Sequence, residues 1–242
     1  MARKIKIDNS ILKRRAYKKR SHEPVEAICK ILIVCEGSKT EPNYFGEFNK
    51  KKRGLYVFDL EFSGGGISTK KVVEEAIELK KQADMKNDPY DRVWAVFDKD
   101  DFPDADFNAA ILKAESNHIG CAWSNEAFEL WYLLHFHNRV TPMSRTEYKN
   151  AISNAVNDSP FYKGKKEYVY KKNDPKNYSI MNKYGSQDSA IKNALAMERC
   201  YTGQSFATHN PCTKVHEIVL QLMGKDEKLN KEISEKMNQK LD

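Results

Sequence analysis

Residues 28–35, ICKILIVC, are apolar, β-branched and short, which predicts a buried strand. The run stops at Glu36-Gly37-Ser38-Lys39, a turn. Thr40-Glu41-Pro42 then reads as a helix start, with Thr as cap and an acid and a proline in the first turn. Tyr44, Phe45 and Phe48 form that helix's apolar face. Leu55 to Phe62 predicts a second strand that ends at Ser63-Gly64-Gly65-Gly66, and Ser68 or Thr69 caps a helix carrying Val72, Val73, Ala76, Ile77 and Leu79 at helical spacing. Val93 to Phe97 is a third strand, Phe107 to Ser116 a helix, Ile119 to Trp123 a fourth strand and Ala127 to His137 an apolar helix. Four strand–helix units in succession predict an α/β fold: a four-stranded parallel sheet covered by helices on both faces. After Arg139 the patterns shorten. The expectation there is a mostly helical extension over 141–242, ending in an amphipathic stretch from Thr213 to Met237 broken near Gly224. The parts are thus a basic, flexible arm (1–27), a core (28–140) and the extension.

Composition narrows the class. With 40% hydrophobic and 31% charged residues, the 242-residue chain reads as soluble and globular. Its longest apolar runs are too short to span a bilayer, and no apolar stretch follows the basic N-terminus as in a secretion signal. A cytoplasmic protein without a membrane partner is expected. The five cysteines are scattered, without a C-x-x-C pair, and are expected as reduced thiols. The net charge of +7 is concentrated: residues 1–22 carry nine Lys and Arg against Asp8, and the rest is nearly neutral. Arg14, Arg15, Lys18, Lys19 and Arg20 therefore make the arm a candidate phosphate-seeking segment, the other reading being a solvated tail.

The chemistry is signalled by acids at the ends of apolar strands. Ligands of parallel sheets bind at the carboxyl edge. Glu36 ends the first strand, and Asp98 and Asp100, two apart on an extended segment, point the same way from the third. Glu129 lies at the start of the helix after the fourth strand. Crowded carboxylates are kept ionised by a divalent cation, and oxygen-only ligation favours Mg²⁺ or Mn²⁺. The bland alternative for each acid taken alone is a helix cap or a solvated turn.

The segments CEGSKTEPNYF (35–45), GGGIS (64–68), FDKDD (97–101), SNEAFELWYLLHF (124–136) and NPCTKVHE (210–217) occur in that order. VCEGSKTE followed by FDKDD resembles the Toprim domain, the metal-binding fold of type IA and type II topoisomerases, primases and OLD-family nucleases. The five segments together resemble its RloB-like branch, which includes a component of the AbiL abortive-infection system, over about 28–220. The resemblance implies a Toprim-like, Rossmann-like core and an Mg²⁺- or Mn²⁺-dependent endonuclease acting on tRNA, other RNA or DNA in defence against phage. It implies an AAA- or ABC-type ATPase partner and is compatible with a homo-oligomer. On this chain it makes Glu36, Asp98, Asp100 and Glu129 metal ligands, with Glu36 doubling as general acid or base and Glu41 a ligand for a second ion. Where this branch has a small or imino residue after Ser-Asn, this chain has Glu126; Glu129 keeps the FELW frame and is taken as the ligand. Lys39 is placed to neutralise phosphate charge. The rival reading is a non-catalytic sensor of nucleic acid that regulates the ATPase.

Three weaker signals remain. The glycines of GGGIS could present N–H groups to a phosphate or form a plain turn; no GK[ST] follows, so no ATP hydrolysis is expected. FYKGKKEYVYKK (161–172) interleaves rings and cations, making Lys163, Lys165, Lys166, Tyr168 and Tyr170 candidate contacts for single-stranded nucleic acid, against a packed hairpin with outward lysines. His135 and His137 diverge on a helix and cannot share a metal. His135 and His216 are expected chiefly as core groups.

Overall fold

A computed structural model describes residues 27–49, 52–53 and 56–239 of the chain. In chain order the elements are β1 (Ala27–Cys35), α1 (Thr40–Gly46), β2 (Lys52–Arg53), β3 (Tyr56–Gly64), α2 (Thr69–Met85), β4 (Arg92–Asp98), α3 (Asp104–Ser116), β5 (Gly120–Asn125) and α4 (Glu129–Leu134). The extension adds α5 (Tyr148–Asn157), α6 (Asn177–Tyr184), α7 (Gln187–Glu198), β6 (Cys212–Thr213), α8 (Val215–Leu222) and α9 (Glu227–Gln239). The α/β class and the four principal strands are as the pattern predicts. The strand count is not: among the described residues the sheet has six strands in the order β2-β3-β1-β4-β5-β6. Only β3, β1, β4 and β5 run parallel, while β2 and β6 pair antiparallel at the two edges. Two-residue strands carry no periodicity, so neither edge strand was legible.

β6 belongs to the extension and pairs with β5, Thr213 opposite Ser124. One continuous set of buried apolar side chains runs from Cys29 to Ile233, so position 140 does not divide two cores. Cys29, Cys35, Cys121 and Cys212 are buried free thiols, and Cys200 is exposed. No helix among the described residues is long and apolar enough to cross a membrane.

The strand order matters for the site. From β1 the chain moves to β3 on one side and then returns past β1 to β4 on the other. Connections leaving β1 and β4 therefore diverge, which opens a crevice at their carboxyl ends, where open α/β sheets bind ligands. Glu36 follows β1 and Asp98 ends β4.

Aromatic packing locks the helices that flank this crevice. The buried Tyr44 ring on α1 lies 5.7 Å from Phe128 and 5.7 Å from Tyr132 beside α4, and 5.2 Å from Tyr178 on α6. Its hydroxyl donates to Gln187 Oε1 at 3.0 Å. Edge-to-face contacts of this kind add to the burial of the rings themselves. They set α1 against α4, and with them Glu41 against Glu129. Tyr44→Ala is expected to cost about 3–5 kcal/mol, as for other buried aromatic truncations, read as a lowered urea midpoint at unchanged slope. An unchanged midpoint would remove the ring from this structural role.

Candidate metal centre at the carboxyl edge

The turn after β1 is held from three directions. The Glu36 N–H donates to Val96 O at 2.9 Å, prolonging the β1–β4 ladder by one residue. The N–H groups of Gly65 and Gly66 donate to Cys35 O at 2.9 Å and Glu36 O at 2.7 Å. Gly64, Gly65 and Gly66 all have positive φ (90°, 96° and 77°), the region only glycine enters freely. A Cβ on Gly64 would lie 2.2 Å from Cys35 O. The glycine run thus buttresses Glu36. Two of its N–H groups are spent on β1 rather than offered to a phosphate.

The half-buried Glu36 carboxylate turns toward β4. Its Oε2 accepts from the Asp98 N–H at 3.2 Å and lies 3.4 Å from Thr69 Oγ1. Ser68 or Thr69 was expected as the cap of α2, and Ser68 holds the N-cap position. Thr69 has another role: it is the first residue of α2, fully buried, with its hydroxyl on the acidic edge, and neither it nor the N-cap Ser68 makes a side-chain cap. Thr40 behaves similarly. Lys39 holds the N-cap position of α1, and the Thr40 hydroxyl donates to Asn173 Oδ1 at 2.6 Å.

Gly37 has a different reason from the other glycines. A side chain there would collide with Glu41, whose Oε2 lies 2.3 Å from where its Cβ would be. The carboxylate of Glu41 fills the space the glycine vacates, and so folds back from α1 onto the strand end. Glu41, Asp98 and Glu129 are buried side by side at this edge. Burial raises the Asp98 carboxyl well above the usual range, reinforced by Glu41, Glu129 and Glu36 and opposed by Arg145. Glu41 is raised by burial, with Glu129 and Glu36 adding and Lys172 opposing. Glu36 is raised by burial and by Asp100, against its hydrogen bonds from Asp98 and Thr69.

Asp100 reaches the site by another route than expected. β4 stops at Asp98, and Asp100 sits in a turn with φ of 40°. The two side chains are therefore not related by strand alternation. Arg145 joins them: one guanidinium nitrogen pairs with Asp100 Oδ2, and the other lies 3.4 Å from Asp98 Oδ2. A second cation comes from the lysine–tyrosine segment. Lys172 Nζ lies 3.3 Å from Glu129 Oε1, which also accepts from the Tyr170 hydroxyl at 3.3 Å. That segment has no regular structure, but it is tied to α5 by a reciprocal pair between Asn157 and the Tyr168 backbone, and to α1 through Asn173.

The structure thus brings Glu36, Glu41, Asp98, Asp100 and Glu129 to one edge. Lys39 is exposed at the start of α1, and among the described residues no ion pair joins it to these acids. Tyr170 is only 3% exposed and Tyr168 half-buried. Tyr170 is thereby removed from any stacking surface and becomes instead a ligand of Glu129. Lys163, Lys165 and Lys166 are exposed, as an outward lysine face requires. Arg14, Arg15, Lys18, Lys19 and Arg20 lie outside the described residues. His135 is a buried core group, its Nδ1 2.9 Å from Trp131 O and its pKa pushed down to about 4 by burial. Arg145 and Lys172 are the site residues that sequence reasoning missed. Nothing in TPMSRTEY marks Arg145, and Lys172 was read as part of a nucleic-acid face.

Two observations bear on whether a divalent ion suits this edge. Glu41 Oε2 and Glu129 Oε2 are buried with no hydrogen-bond partner among the described residues. Such orphaned carboxylate oxygens are costly unless a cation meets them. Against a closed cage, no three of these acids place ligand atoms within 4.8 Å of one another. Among the described residues only Glu198, His216 and Glu217 do. There Lys214 pairs with both glutamates and already supplies the counter-charge. At the carboxyl edge, then, buried carboxylate oxygens lack a partner among the described residues, but three ligating atoms are not gathered at one point.

A family model described as RloB-like protein matches residues 31–222, most of the chain. No curated protein and no solved structure matches it.

For Glu41 the raised folded-state pKa means that stability is fullest below the carboxyl's ordinary value and is lost as pH rises through the folded value. In EDTA, Glu41→Gln is therefore expected to match wild type in melting temperature near pH 4 and to exceed it increasingly toward pH 8. A gap that does not widen with pH would contradict this. On its match to the family model, the chain belongs to the RloB-like family.

Proposed function

We propose that this chain is a metal-dependent nuclease of Toprim-like architecture, hydrolysing phosphodiesters of RNA or DNA in anti-phage defence under the control of an ATPase partner. The defence role and the partner rest on the sequence resemblance. The chemistry is supported by one observation above all: acids from separate segments converge at the β1/β4 crevice, and two of them bury oxygens that no group among the described residues satisfies.

In this reading Glu36, Asp98, Asp100 and Glu129, with Glu41, hold Mg²⁺ or Mn²⁺. When bound, the ion polarises the phosphoryl group and lowers the pKa of water. The protein's own contribution is positional. The glycine turn and the Asp98 N–H fix Glu36, whose other carboxylate oxygen is left to take or return a proton at the reacting oxygens. Tyr170 and Lys172 orient Glu129. The exposed Lys163, Lys165 and Lys166 would supply cations to a bound polyanion.

The test is cleavage of tRNA, single-stranded DNA and duplex DNA with Mn²⁺, with and without the ATPase partner. Asp98→Ala and Glu36→Ala should each lower the rate by about a hundredfold or more, the scale of losing one positioned catalytic group. If the product persists in both variants, these acids are not catalytic. If wild type cuts nothing even with its partner, a nucleic-acid sensor without chemistry replaces the nuclease.

A further inference from the structure

The acidic edge carries its own cations, and the Arg145 contact has the geometry of an exchangeable one. Arg145 does not grip a single carboxylate with both nitrogens, the usual strong Arg–carboxylate pairing. It splits its two nitrogens between Asp98 and Asp100. Those are the acids that reach the crevice from the β4 side, at the topological switch point. Its backbone is fixed: the Ser144 N–H donates to Glu147 Oε2 at 2.8 Å, and the Ser144 hydroxyl donates to the same oxygen at 2.6 Å, at the start of α5. Its side chain is not enclosed, being 41% exposed. An anchored base with a long, half-solvated arm lets the guanidinium leave the carboxylates without unfolding anything.

We propose that Arg145 is the resident cation of the site. It neutralises Asp98 and Asp100 when no divalent ion is present, yields their oxygens to the ion, and then binds a non-bridging phosphate oxygen of the nucleic acid. The inference rests on the metal-binding reading above and adds a phosphate ligand to it. The reason is electrostatic. A guanidinium and a divalent ion on the same two carboxylates repel each other, while a phosphodiester entering the crevice brings the anion that the released guanidinium needs. Planar guanidinium groups match phosphate oxygens in geometry as they match carboxylates. Lys172 on Glu129 differs, because the Tyr170 hydroxyl shares the same oxygen and the neighbouring Asn173 is bound to α1.

The experiment measures Mn²⁺ binding by calorimetry in wild type, Arg145→Met and Arg145→Lys, each first checked for cooperative melting. Removing the competitor should tighten Mn²⁺ by about fivefold or more in Arg145→Met, the low end of coupling between two ligands of one site. In Ca²⁺, the same variant should bind an end-labelled single-stranded oligonucleotide about tenfold more weakly, and Arg145→Lys less so. If wild type takes up no Mn²⁺, the metal-binding reading itself fails. If wild type binds Mn²⁺ and Arg145→Met binds it no tighter, Arg145 is a fixed structural bridge and the exchange is wrong while the metal site stands. If oligonucleotide binding is unchanged, the phosphate role is wrong. Should Arg145→Met not fold, the Arg145 Nε–Hε NMR signal of wild type under Mg²⁺ titration decides: a shift that saturates with the ion supports exchange, and an unmoved signal overturns it.

Discussion

Mutual repulsion among buried carboxylates is the constraint on which the rest of this structure turns. Two unit charges about 4 Å apart interact by roughly 4 kcal/mol at the effective dielectric near a protein surface, against the roughly 5–15 kcal/mol that holds a domain folded. Glu41, Asp98 and Glu129 are all buried at one edge, with Glu36 beside them. They cannot all stay ionised unless cations meet them; otherwise some must hold protons. The chain meets that cost in three ways: backbone and hydroxyl donors on Glu36, Arg145 on the aspartates, and Lys172 with Tyr170 on Glu129. What remains unmet among the described residues, one oxygen each of Glu41 and Glu129, is the part of the arrangement that their packing does not explain.

The extension is therefore part of the site. Arg145, Tyr170 and Lys172 all lie beyond position 140, and Asn173 ties the same segment to α1. β6 adds a strand to the sheet from still farther along the chain. A core of four strand–helix units would leave its acids facing water, and the extension is what covers and charges them. The aromatic cluster around Tyr44 performs the complementary task on the apolar side. It holds α1 to α4 and α6, so that the acids are brought together by packing that has no charge of its own.

Legibility followed the physics of each feature. Of the four parallel strands, β1, β4 and β5 were readable as short, mainly apolar runs and β3 from its alternation, with Asp59 and Glu61 exposed between buried Phe58 and Leu60; Glu36 and Asp98 marked the ends of β1 and β4. The edge strands were not readable, being too short for any period. That Gly37 makes room for Glu41 was not legible, because it depends on how α1 folds back. Thr40, and Thr69 as the alternative to Ser68, looked like caps because a small polar residue before a helical pattern usually is one. Their hydroxyls were drawn to Asn173 and to the acidic edge instead. Tyr170 was left with two readings for a related reason, since a tyrosine among lysines has the same sequence whether its ring stacks on a base or lies in a core.

By itself, then, the sequence determined the α/β class, the order of the principal elements, the family and five acids of the candidate centre. These are written in local patterns: apolar runs, the residues that end them, and short segments in fixed order. Tertiary structure alone decided which cations face those acids, which oxygens stay unsatisfied, and that the glycine run braces a strand end. Those facts depend on contacts between residues tens of positions apart, where no local period or spacing carries the information.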